Sequence, residues 1–150
     1  MLKGRCMRGK CLCGEVGFVV SGTLPNIYQC HCSLCRKATG SAANAALIVP
    51  SENFQWVCGE EHITSYVKDT GYRSDFCSKC GSPLPNPLNG RAEYWIPVGL
   101  LEDNASLKIA AHLHVGSKAS WDAVGSSGVQ YQAAPDLESL LKVLRQNANP

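Results

Sequence analysis

Seven of the nine cysteines fall into three tight groups: Cys11-Leu12-Cys13, Cys30-His31-Cys32-Ser33-Leu34-Cys35 and Cys77-Ser78-Lys79-Cys80. Thiolates one to four residues apart can converge on one ion from a single turn, and tetrahedral zinc, with Zn–S bonds of about 2.3 Å, suits that spacing. Gly81 directly follows the last pair and permits a tight knuckle around it. A CxxC pair needs two further ligands. Cys11 and Cys13, followed by Gly14, are the natural supply, so Cys11, Cys13, Cys77 and Cys80 are expected to form a closed structural site across 63 intervening residues.

The middle group is of a different kind. Cys30, Cys32 and Cys35 put three thiolates on one six-residue loop with no evident fourth ligand, the pattern of a catalytic zinc that keeps one position open. Two zinc ions would move the formal charge from +2 to −1, a tolerable change. One closed zinc plus free thiols, disulfide chemistry and iron–sulfur chemistry stand as alternatives, although the spacing does not follow the usual iron–sulfur runs.

Other polar residues carry a weaker signal. His31 lies between two candidate ligands and so points away from the ion, yet it remains a candidate for proton transfer or substrate orientation. His112 and His114 are two apart on a candidate strand; the choices are a distant fourth ligand, an acid/base pair, or hydrogen-bonded histidines at a sheet surface. Cys6 and Cys58 belong to no group and read as ordinary surface or half-buried thiols. His62 carries no signal.

The elements that must position these residues read as mainly β. Val16, Phe18 and Val20 alternate before a Ser21-Gly22 turn. Ile63, Ser65 and Val67 alternate with His62, Thr64 and Tyr66, and a third candidate strand runs from Arg91 to Leu101. In a fourth, Ala111, Leu113 and Val115 are expected to face one way and Ala110, His112 and His114 the other. Frequent glycines imply short, strongly turned strands. The expected helix has Pro135-Asp136 at its start, an apolar stripe of Leu137, Leu140, Leu141 and Leu144, and Lys142 and Arg145 in its last turns. A short helical turn is expected after Ser33.

Composition narrows the function classes. One domain over residues 1–150 is expected, and a 45% hydrophobic, 17% charged chain is not a disordered one. The basic residues are scattered, densest at Lys3, Arg5, Arg8 and Lys10, and demand no nucleic acid. No apolar run reaches the roughly 18 residues of a membrane helix. The cysteine count is odd and no run of signal-peptide length follows Met1, so reduced thiols in the cytoplasm are expected.

The three groups, in this order, resemble the glutathione-dependent formaldehyde-activating enzyme family, also called GFA or CENP-V/GFA. The likeness opens at Lys10-Cys11-Leu12-Cys13-Gly14-Glu15-Val16 and is strongest over Cys30 to Ser41, which is similar to CHCxxCRKxTGS. Phe76-Cys77-Ser78-Lys79-Cys80-Gly81 resembles FCxxCG. His112 to Trp121 is similar to HxxVxSKAPW, with Ser120 where the family has proline. The resemblance implies an Mss4-like fold of short antiparallel sheets with zinc sites. It also implies a structural ion on Cys11, Cys13, Cys77 and Cys80 and a catalytic one on Cys30, Cys32 and Cys35.

The activity implied is that of a zinc-dependent carbon–sulfur lyase or synthase acting on a thiol–aldehyde adduct such as S-hydroxymethylglutathione. Its partners would be glutathione, or another small thiol, and an aldehyde. Arg36 and Lys37, next to the ligand loop, are the nearest cations in sequence for glutathione carboxylates; solvated surface charges are the alternative. Two rival readings are a zinc-stabilised binding module without chemistry and a thiol-redox or metal sensor.

Overall fold

A computed structural model describes residues 6–102, 106–146 and 148. Lys3 and Arg5 of the basic N-terminal cluster lie outside the described residues.

Twelve short strands make three sheets among the described residues. The first joins β1 (Met7–Lys10), β2 (Gly17–Val20) and β5 (Phe54–Cys58), all antiparallel. The second joins β6 (Ile63–Val67), β7 (Arg73–Cys77) and β8 (Pro83–Leu84). The central six-stranded sheet runs β12 (Val129–Gln130), β11 (Ile109–Leu113), β3 (Ile27–Cys30), β4 (Asn44–Pro50), β10 (Glu93–Pro97) and β9 (Asn86–Pro87). Pairing is antiparallel throughout, except that β11 runs parallel to both β3 and β12.

The two faces of the central sheet have different tasks, as period-two alternation dictates. Ile27, Leu47, Val49 and Ile96 point towards the β1-β2-β5 sheet and pack with Phe18, Val20 and Met7. Tyr28, Cys30, Ala46, Ile48, Ala111 and Leu113 point the other way. Part of that second face is covered by helix α2 (Leu137–Arg145), whose Leu140, Leu141 and Leu144 are buried on it. Each leucine contributes roughly 1.5–3 kcal/mol by leaving water. Asp136 caps α2 by accepting from the Ser139 amide at 2.9 Å, so the expected start, stripe and basic end are all present. The rest of that face is left to the candidate site.

Two expected elements end early. The strand expected over Arg91 to Leu101 gives way after Pro97 to a 3-10 turn over Val98–Leu100. The alternation expected over Ala110 to Val115 also fails. Strand β11 stops at Leu113, and His114 takes φ 56°, the one positive φ outside glycine among the described residues. That left-handed turn rotates the chain, so His112 and His114 do not share a face.

Candidate metal centres and cavity

The four-sulfur group assembles where two distant turns meet. Cys11 and Cys13 follow β1, while Cys77 ends β7 and begins a turn closed by Gly81 N donating to Cys77 O at 2.8 Å. Gly81 has φ 76°, so the tight knuckle uses glycine's freedom as expected. Leu12 N donates to Ser82 Oγ at 2.9 Å and ties the two turns together. Gly59 completes the fit: a Cβ there would lie 2.0 Å from the Glu15 carbonyl oxygen.

Sulfurs around one zinc with bonds of about 2.3 Å should lie about 3.8 Å apart. Cys11 and Cys13 sulfurs are 3.5 Å apart, and those of Cys13 and Cys77 are 3.8 Å apart. All four lie within 4.8 Å of one another, so the donor set fits the metal. Val16 N donates to Cys11 Sγ at 3.3 Å, and a hydrogen bond with Ser82 lowers the Cys80 thiol to about 5. Both interactions favour the charged sulfur that a metal needs.

The three-sulfur group sits at the end of β3. Helix α1 (Ser33–Thr39) begins on Cys32, whose sulfur accepts from the Cys35 amide at 3.4 Å in the place that Ser, Thr or Asp commonly takes. One turn of helix thus folds Cys35 back beside Cys30 and Cys32, and all three sulfurs lie within 4.8 Å of one another. Gly40, at φ 62°, stops the helix. A hydrogen bond from Cys35 holds Cys30 down to about 6, and Cys35 is pushed up by that same contact and by burial. The loop is a compact, anionic set of soft donors that fits a zinc-like ion with three protein ligands. Among the described residues, these two are the clusters able to hold a metal, and none of the described cysteines is in a disulfide.

His31 is turned away from the sulfurs into the interior. Its Nδ1 lies 2.8 Å from Asp122 Oδ2 and its Nε2 lies 3.0 Å from His112 Nδ1; His112 Nε2 in turn lies 2.9 Å from the Ser127 carbonyl. Both rings are thus held in place by partners at both nitrogens. His31 is 2% exposed and His112 1%, so neither is a surface histidine. The chain pins the segment around Asp122 and Ser127 to the back of the ligand loop. Sequence reasoning missed Asp122, although it directly follows the matched motif ending at Trp121.

In front of the three-sulfur loop lies a cavity of about 660 Å³. Cys30 and Cys35 line it, with Tyr28, Trp95, Asn86 and Arg73. Sheet register explains the grouping. Tyr28 and Cys30 are two apart on β3, Trp95 and Asn86 are paired across β10 and β9, and the Trp95 indole reaches across β4 to the Tyr28 hydroxyl. His114 also lines the cavity, on the side of Cys30.

Arg36 and Lys37 do not line it. Arg36 donates to the Ser117 carbonyl at 3.3 Å, and Lys37 is exposed on α1. Arg73 is the lysine or arginine found among the described lining residues, and it forms a two-pronged pair with buried Asp75 at 2.9 Å for each contact. Cys6 and Cys58 are exposed and outside both clusters, and His62 faces Glu15 and Glu61.

A mainly β protein carrying one four-sulfur and one three-sulfur cluster, each able to hold a metal, is the class this architecture defines. Residues 6–117 match the family model described as "Glutathione-dependent formaldehyde-activating enzyme". The chain belongs to that family. It is 34% identical over 85 residues to a Halomonas elongata protein provisionally named a glutathione-dependent formaldehyde-activating enzyme; the match covers 52% of this chain and 54% of that protein, about half of each. A crystal structure of a Rhodobacter sphaeroides protein superposes with a TM-score of 0.55 at 28% identity, over 67% of this chain and 92% of that one. No helix among the described residues is long and apolar enough to cross a membrane.

Proposed function

We propose that the chain, as a single cytoplasmic domain over residues 1–150, is a zinc-dependent carbon–sulfur lyase or synthase that makes or breaks a thiol–aldehyde adduct such as S-hydroxymethylglutathione. One observation carries the reading: the three-sulfur cluster, short of a fourth protein ligand among the described residues, opens on the cavity through Cys30 and Cys35. Family membership supports it. Cys30, Cys32 and Cys35 would hold the reactive zinc and Cys11, Cys13, Cys77 and Cys80 the structural one. When bound at the loop, zinc supplies an open position that keeps an incoming thiol as thiolate.

The chain's residues do the rest. Cys30, Cys32 and Cys35 would donate strongly to a bound ion and so lower its appetite for a carbonyl oxygen, which would favour capture of sulfur. In the synthetic direction the thiol sulfur bonds to the aldehyde carbon, the carbonyl π pair moves onto oxygen, and that oxygen ends as a hydroxyl. The thiol proton leaves to water and one returns from water to the oxygen, so no oxidant is needed. The cavity exceeds the needs of a one-carbon aldehyde. Asn86, 6% exposed, donates through Nδ2 to the Pro87 carbonyl and lines the cavity beside Trp95. Arg73 is better placed than Arg36 or Lys37 to meet a carboxylate, with its charge already shared with Asp75.

Calorimetry on zinc-loaded protein tests thiol capture. Glutathione should bind with release of a proton, more tightly as pH rises until the free thiol ionises near pH 8.5. S-methylglutathione, which keeps both carboxylates but offers no thiolate, should bind at least about tenfold more weakly. Equal binding without proton release would defeat the reading.

A further inference from the structure

The hydroxyl of Tyr28 is a group the cavity presents but the reading above does not use. It accepts from the Trp95 indole N–H at 2.8 Å. An indole nitrogen only donates, so this bond occupies an oxygen lone pair and leaves the hydroxyl hydrogen uncommitted. No other hydrogen bond to this hydroxyl occurs among the described residues. Tyr28 is 9% exposed and lines the cavity together with Cys30 and Cys35. Trp95 also fixes the ring's direction, because the bond spans from β10 across β4 to β3. A buried hydroxyl with a spare hydrogen is costly unless something accepts it.

We propose that Tyr28 is a catalytic residue, donating its hydroxyl hydrogen to the oxygen of the thiol–aldehyde adduct while the adduct's sulfur lies at the Cys30, Cys32 and Cys35 loop. The proposal rests on the reading above and adds the group that recognises oxygen. Negative charge grows on that oxygen as the carbon–sulfur bond forms, so a donor already fixed beside it stabilises the transition state more than the separated reactants. Tyr28 keeps its proton throughout; the proton that ends on the oxygen comes from water, replacing the one the thiol released. In the reverse direction the same donor steadies the oxygen until the carbonyl reforms.

Two probes separate recognition of oxygen from capture of sulfur. Thioacetate carries sulfur and oxygen on one carbon, as the adduct does; ethanethiol has the same carbon count and no oxygen. Both are titrated into zinc-loaded wild-type protein and Tyr28→Phe by calorimetry, with zinc content and melting temperature recorded. Thioacetate should bind Tyr28→Phe about tenfold more weakly, the effect of one hydrogen bond to a charged acceptor, and ethanethiol should change by less than about twofold. Equal losses for the two probes, no loss for either, or a wild-type protein that binds neither would overturn the proposal. Should Tyr28→Phe fail to fold, Trp95→Phe leaves the hydroxyl but frees its direction. That variant should weaken thioacetate by about threefold and leave ethanethiol alone, and unchanged binding of both would overturn the proposal. Exchange between glutathione and formaldehyde, followed by NMR with the wild-type protein, tests the underlying reading separately. Absent exchange with probe selectivity intact defeats the lyase reading and keeps Tyr28 as the oxygen donor, whereas exchange with selectivity unchanged in Tyr28→Phe defeats Tyr28 alone.

Discussion

The two cysteine clusters are made from similar residues and differ in how the chain delivers them. The four-sulfur cluster draws Cys11 and Cys13 from one turn and Cys77 and Cys80 from another, and a small core of Val16 and Leu84 closes around it. The three-sulfur cluster comes from a single strand end and the first turn of α1, and its open side faces a cavity. A site that joins distant segments holds the fold, because ligand binding there closes a long loop. A site whose ligands are already neighbours closes almost nothing and is free to stay open. Nearness in sequence thus separates the two clusters.

The largest effect should follow from cutting the long-range site. Cys77→Ala or Cys11→Ala should lose one zinc equivalent and several kcal/mol of stability, with metal content and thermal midpoint falling together. Retention of both by either variant would break the comparison. An intermediate effect should follow at the back of the other loop, where Asp122→Asn replaces the carboxylate that bonds His31 of the His31–His112 pair. A cost of about 2–4 kcal/mol in denaturant unfolding, with the zinc content of the four-sulfur site intact, is the expected result. The smallest change in stability should come from Cys32→Ala, which should stay folded with about one zinc and a loss of roughly 1 kcal/mol, that of a helix cap. Destabilisation by Cys32→Ala equal to that by Cys77→Ala would merge the two roles and favour a binding module in which both ions only hold the fold.

Residue spacing along the chain determined a good deal. Convergence of Cys30, Cys32 and Cys35 is a local matter of one strand end and one helical turn, so it was legible. The four-sulfur cluster was legible too, because two pairs that each need two further ligands suggest one another. The α2 stripe from Leu137 to Leu144 and its Asp136 cap follow from helical periodicity alone. Tertiary structure decided what surrounds the sulfurs. Trp95 and Asn86 reach the cavity through strand register, a property of β9, β10, β4 and β3 taken together. Arg73 comes from a different sheet, while Arg36, its neighbour in sequence to the ligands, is drawn off to Ser117. The positive φ of His114 separated it from His112, and Asp122 arrived on a segment 91 residues from His31. Ligand spacing is encoded by short-range geometry that any sequence displays, whereas a cavity wall is the sum of long-range pairings, and those are chosen by packing.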